Sequence, residues 1–233
     1  MGKTQVMTVN REDFLQHIAD RLGRPRQTTP PARDVRGVPS FYREEPFGEG
    51  AVVDKVARFC EELSALGGHV DVVDHIGQTR HVLQRVVAES QVVVTWHRDV
   101  YGGWELDCLW ESEKVYSDPA APDFMDMAKK ADIGITTVQY AVANTGTIVL
   151  FTTDKQPRSV SLLPAIHVAL MKESQIVSRM GEVFEPLQRV QGRELPSSVH
   201  FITGPSRSSD IENDLSIGVH GPVAVRAIVV KGV

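Results

Sequence analysis

The segment Gln91-Val92-Val93-Val94-Thr95-Trp96 is apolar on both of its faces. A strand of this kind needs cover above and below, which a parallel sheet flanked by helices provides. The surrounding pattern agrees. Upstream, Val52, Val53, Val56, Ala57, Phe59, Cys60, Leu63 and Leu66 form a broad helical stripe ended by Gly67-Gly68, and Val70-Asp71-Val72-Val73 reads as a short strand. Residues 79–89 carry Val82, Leu83, Val86 and Val87 on a second helical face. Residues 98–123 give weak signals around a Tyr101-Gly102-Gly103-Trp104 turn. Beyond them, 123–131 reads as a helix leading to Ile133-Gly134-Ile135-Thr136-Thr137. Strands are expected at 147–153, 165–171, 199–203 and 223–230, and a helix at 178–191 carries Val183, Phe184, Leu187 and Val190. Strands alternating with helices imply right-handed crossovers and an α/β sheet. The close spacing of strands across 133–171 predicts a partly antiparallel segment inserted in, or added to, that sheet.

The first fifty residues differ. Phe14, Leu15, Ile18, Ala19 and Leu22 share one helical face, with Asn10 as N-cap and Gly23 as stop. Residues 23–50 hold Pro25, Pro30, Pro31, Pro39 and Pro46 without periodicity, an extended connector. A helix this short is marginal alone, so it should dock on the chain's own core or on a second subunit. The division expected is 1–50, a helix and proline-rich connector, and 51–233, an α/β domain. A chain of 233 residues can bury a sizeable core without staples. No apolar run approaches the length of a membrane helix, and the opening residues lack an apolar signal core, so a cytoplasmic protein is expected. With 30 acidic against 25 basic side chains, a net charge of −5 argues against a dedicated nucleic-acid binder. Cys60 and Cys108 form no CxxC pair and are too few for a four-cysteine metal or iron–sulfur site. His69, Asp71, Asp74 and His75 are metal-ligand types, but strand alternation sends them to different faces, so no metal site is expected.

The densest polar segment is Thr203-Gly204-Pro205-Ser206-Arg207-Ser208-Ser209-Asp210-Ile211-Glu212. It follows a strand, and Ser209-x-x-Glu212 fits a capping box with a helix starting at Asp210. Loops after parallel strands gather ligands in α/β sheets, and Gly204, Pro205, Ser206, Arg207 and Asp210 are candidate anion-binding residues there. Ordinary turn and capping chemistry would use the same residues. In Gly218-Val219-His220-Gly221-Pro222, Gly218 and Gly221 permit close backbone approach, and His220 is the candidate general acid or base. Thr145 and Gly146 of Asn144-Thr145-Gly146-Thr147 form either a hairpin turn or a third ligand loop. Arg158 and Ser159 of Arg158-Ser159-Val160-Ser161 bring a positive charge among hydroxyls. These four loops are expected to converge at one sheet edge around a carboxylate or phosphate. No GxGxxG, Walker A, GxSxG or HExxH motif is present.

Taken in order, Ile133-Gly134-Ile135-Thr136, Asn144-Thr145-Gly146-Thr147, Arg158-Ser159-Val160-Ser161-Leu162-Leu163-Pro164, the 202–212 block and Gly218-Val219-His220-Gly221-Pro222 resemble the lactate utilization protein C family (LutC, also YkgG), built on the LUD domain. Ala19-Asp20-Arg21-Leu22-Gly23-Arg24 is similar to that family's opening helix. Asn144 stands where the family pattern carries a carboxylate. The resemblance implies a NagB/RpiA/CoA-transferase-like fold, a mainly parallel mixed sheet flanked by helices with an N-terminal helical arm. It implies an accessory role in oxidising L-lactate to pyruvate beside companion proteins that bear the iron–sulfur clusters, with no cofactor in this chain. The other class of function is a freestanding enzyme or binding protein for a small anionic metabolite, of CoA thioester or phosphosugar type. A homo-oligomer is compatible with either.

Overall fold

The computed structural model of the chain describes residues 10–26, 54–189, 195–209 and 215–233. The chain divides into two units, Met1–Glu49 and Gly50–Val233. In the first, α1 spans Arg11–Arg21. Asn10 caps it by accepting the Glu12 amide, and Gly23, at φ +61°, ends it as its N–H donates to the Asp20 carbonyl and that of Arg24 to the Ala19 carbonyl. Ala19 is buried, while Phe14, Ile18 and Leu22 are exposed.

In the second unit, α2 (Lys55–Ala65) starts at Asp54, whose carboxylate accepts the Val56 and Ala57 amides at 3.0 Å. Val56, Phe59 and Leu63 form its buried stripe. It ends because Gly67 takes the left-handed conformation, letting the Gly67 and Gly68 amides donate to the Ser64 and Leu63 carbonyls. β1 (His69–Val73), α3 (Ile76–Val87), β2 (Val93–Thr95), α4 (Asp107–Trp110), β3 (Val115–Tyr116), α5 (Phe124–Lys130) and β4 (Ile133–Thr137) follow. The chain then makes β5 (Tyr140–Val142), β6 (Thr147–Thr152), α6 (Ser159–Leu162), β7 (Ile166–Lys172), β8 (Ile176–Val177) and α7 (Met180–Arg189). It closes with β9 (Ser198–Ile202), β10 (Arg207–Ser209), β11 (Leu215–Ile217) and β12 (Ala224–Val230).

The main sheet has six parallel strands in the order β1-β12-β7-β4-β2-β3. Its central strands are covered on both faces: all five residues of β4 are buried, as are the five central ones of β7, among them the polar Thr136, Thr137 and His167. Burying a side chain such as Ile135, Leu170 or Ile228 contributes roughly 1.5–3 kcal/mol. The partly antiparallel segment expected across 133–171 is not part of the main sheet. β5 and β6 join β8 and β9 in a separate mixed sheet, in the order β8-β5-β6-β9, with β8–β5 parallel and the other pairs antiparallel, while β4 and β7 are parallel strands of the main sheet. β9 is an antiparallel edge strand of this second sheet, so residues 203–209 do not leave the carboxyl end of a parallel strand. They lead into the β10–β11 hairpin, and the expected helix start at Asp210 lies outside the described residues. On β1, His69 and Asp71 share one face, where Arg226 of β12 also pairs with Asp71, correcting the expectation that the ligand types all diverge. Among the described residues no helix is long and apolar enough to cross a membrane.

Candidate functional site

The four sequence-marked loops separate into two groups. In the first, Thr145 and Thr147 hydroxyls lie 2.7 Å apart, and Thr147 reaches Thr203 across the β6–β9 pair at 2.9 Å. The Ser206 amide donates to the Pro222 carbonyl, and the Gly218 amide to the Ser206 carbonyl, both at 2.9 Å. Gly146 and Gly204 face the end of α2: a methyl on Gly204 would sit 3.0 Å from the Leu66 Cβ. Pro205 is half-buried, and Gly221 packs against the Ser206 side chain. Arg207 donates to the Leu66 carbonyl, placing its charge at the carboxyl end of α2, where a cation is favoured. His220 is exposed two residues before Pro222. Among the described residues, the Thr145, Thr147 and Thr203 hydroxyls, the Ser206 and Gly218 amides and the Arg207 guanidinium make these bonds within the protein. The group lies at the amino-terminal edge of the main sheet, since the Val223 amide bonds Ala165, just ahead of β7 and β12.

Arg158 and Ser159 lie elsewhere. β6 pairs with β9 so that Ile148 faces Ile202 and Thr152 faces Ser198. The Thr147–Thr203 contact and the Thr152–Ser198 pair are therefore at opposite ends, about 17 Å apart at strand rise. Arg158 belongs with the Thr152 end, so the expected single pocket of four loops is not formed. The turn before Arg158 is pinned to the carboxyl end of β2: His97 donates its amide to Lys155 at 3.0 Å, and the Trp96 indole donates to Pro157 at 3.1 Å. Lys155 also pairs with Asp99 at 2.7 Å. The buried Tyr101 hydroxyl donates to the Ile135 carbonyl at 2.6 Å and accepts the Trp96 amide, tying the ends of β2 and β4 together. Connections leave β2 and β4 in opposite directions across the sheet, to β3 and toward β7. The crevice beside that divergence is where α/β sheets place ligands.

A cleft of about 470 Å³ opens beside the turn before Arg158, lined by Met125, Thr152, Thr153, Asp154, Pro157, Arg158, Ser159, Leu162, Leu163 and Ser197. Arg158 is exposed, whereas Ser159 is buried and its hydroxyl has no hydrogen-bond partner. Behind Thr152, the His200 Nε2 lies 2.8 Å from the Ser198 hydroxyl and 3.1 Å from that of Thr152, while Ser198 donates to Thr152 at 2.9 Å. Burial, and then the Arg158 charge, hold the His200 imidazole below its ordinary pKa, so its neutral form is favoured. Replacing Arg158 with alanine should therefore move the His200 titration midpoint upward, though burial, the larger cause, keeps it below a free histidine. Following the ring protons by NMR checks this; an unmoved midpoint would contradict the electrostatic contact. Thr152, Ser198 and His200 were not marked by sequence. Ser198-x-His200 places both on one strand face, but only the register with β6 brings them to Thr152 and Arg158.

Cys60 and Cys108 are free, half-buried thiols on α2 and α4. Burial, then the charge of Asp54, pushes the Cys60 thiol up, away from the thiolate a metal requires. Among the described residues no three His, Cys, Asp or Glu side chains converge to hold a metal ion.

The family model described as LUD domain matches residues 56–230. The chain is 34% identical to Lactate utilization protein C of Halalkalibacterium halodurans, covering 97% of this chain and 99% of that protein. It is 30% identical to the protein of the same name from Bacillus subtilis, covering 95% and 96%. A crystal structure of a DUF162 family protein from Deinococcus radiodurans superposes with a TM-score of 0.57 at 21% identity, covering 76% of this chain and 96% of that one, which speaks to the fold alone. With the match running nearly end to end and the parallel sheet in place, the chain belongs to the lactate utilization protein C family of LUD-domain proteins.

Proposed function

We propose that this chain is a component of an L-lactate utilization system that oxidises lactate to pyruvate, acting in the cytoplasm with companion proteins that carry iron–sulfur clusters. The observation that carries this reading is the near full-length correspondence with proteins named Lactate utilization protein C. Taking lactate to pyruvate removes two electrons and two protons, and an acceptor has to take them. The two thiols here, apart on separate helices, are no such acceptor, which supports assigning the electrons to the companions. This chain then contributes a docking surface and a site for a small anion. Of the sequence-marked residues, Arg158 and Ser159 are the pair we assign to that anion; Gly146, Gly204 and Arg207 we assign to packing against the end of α2.

The cleft beside Arg158 favours a second reading, a freestanding enzyme or binding protein for a small anionic metabolite. Two measurements separate them. A clean deletion with no second gene copy should grow on glucose and fail on lactate. Purified chain should reduce a dye with lactate only when the companions are added. Normal growth of the deletion strain on lactate overturns the first reading, and activity of the chain by itself supports the second.

A further inference from the structure

We propose that the cleft beside Arg158 binds a monocarboxylate with an apolar chain longer than that of lactate, its carboxylate on Arg158 and Ser159 and its chain over Met125, Leu162 and Leu163. The proposal rests on the assignment of Arg158 and Ser159 to a small anion and names the class of that anion, but not on the role in lactate oxidation. Three observations carry it. Among the described residues Arg158 has no carboxylate partner, and beside it the Ser159 hydroxyl is buried with its hydrogen-bonding capacity unused. Ser159 is only 7% exposed, and a hydroxyl left unpaired at that depth is costly unless a ligand oxygen accepts from it. An arginine fork matches a carboxylate with two parallel hydrogen bonds.

The same cleft exposes an apolar wall, with Met125, Leu162 and Leu163 at 49%, 36% and 44% exposure. About 470 Å³ falls in the range of small-molecule sites, and an acid as short as lactate fills a minor part of it. Asp154 lines the cleft as well. Its charge opposes a second negative charge on the ligand, which selects a single carboxylate over a phosphate dianion.

The test is calorimetric titration of the full chain with acetate, butyrate, hexanoate and octanoate, and with inorganic phosphate. Affinity should rise roughly three- to fourfold per added methylene until the wall is covered. Arg158→Gln should weaken every member at least about tenfold, with Arg158→Lys intermediate because it keeps charge but not the fork. Leu162→Ser should flatten the chain-length dependence, weakening octanoate and hexanoate more than butyrate. Both side chains are exposed, so melting temperatures should match the parent and misfolding is separately visible. Absence of binding, a flat series, Arg158→Gln binding like the parent, or phosphate binding as tightly as hexanoate each overturns the proposal. None of these results bears on growth on lactate.

Discussion

Gly146→Ala is expected to cost about 3–5 kcal/mol and to lower the melting temperature by roughly 10 °C. Two penalties combine. Gly146 sits at φ +58°, which an L-residue adopts only under strain. Its α-carbon also faces α2 so closely that a methyl would strike the Leu63 amide and lie 2.8 Å from the Leu63 Cα and the Glu62 carbonyl carbon. Both obstacles are helix backbone, so no rotamer change relieves them, and either α2 or the turn ahead of β6 must shift. A loss of this size is a large share of the roughly 5–15 kcal/mol that holds a domain together. Gly181→Ala is the internal comparison. That glycine lies in α7 with nothing within 4 Å of the added methyl, so alanine there should be neutral or stabilising by about 0.5–1 kcal/mol. If the two variants melted alike, the close approach to α2 would not be what Gly146 serves.

The same glycine shows where the sequence was legible and where it was not. Helix ends could be read because their chemistry is local: Asn10, Gly23 and Gly67-Gly68 each act on neighbours within a few residues. β2, β4, β7 and β12 could be read because a strand covered on both faces is mostly apolar, here with Thr136, His167 and Arg226 among the exceptions. The second sheet was only half visible. β5, β8 and the β10–β11 pair have two or three residues each, too few for alternation to emerge. At the loops, Asn144-Thr145-Gly146-Thr147 and the 204–221 segment carry the composition of a ligand cradle, yet close packing of one backbone on another selects the same glycines and hydroxyls. Gly146 and Gly204 meet α2, and Thr147 meets Thr203. Arg158 stood out as a charge among hydroxyls, but its neighbours His200 and Ser198 come from a strand some forty residues on, joined to Thr152 by register.

Acid should destabilise the protein through His167 in particular, by about 3 kcal/mol between pH 7 and pH 4. His167 lies in β7 with none of its surface exposed; its Nε2 is 2.9 Å from the Thr136 hydroxyl of β4, and its Nδ1 has no partner. Burial alone pushes its pKa down to about 4, against 6.5 for an unhindered histidine. The unfolded chain therefore takes up a proton there as pH falls below 6.5, while the folded chain stays neutral until about 4. Unfolding is favoured progressively across that window, and the stability present at pH 7 is lost on the way down. Carboxylates such as Asp132, held low by the Val92 and Gln91 amides, also lose stability in acid, but they do so with or without His167. His167→Gln isolates the histidine, because a neutral amide keeps a donor and an acceptor near Thr136 and cannot titrate. Urea unfolding of both proteins at several pH values should show the parent losing its advantage over the variant, or falling further behind, by about 3 kcal/mol from pH 7 to pH 4. Parallel stability curves would mean that the imidazole is protonated in place or reached by water. The central strands β4 and β7 would then be less tightly closed around it than the contact with Thr136 requires.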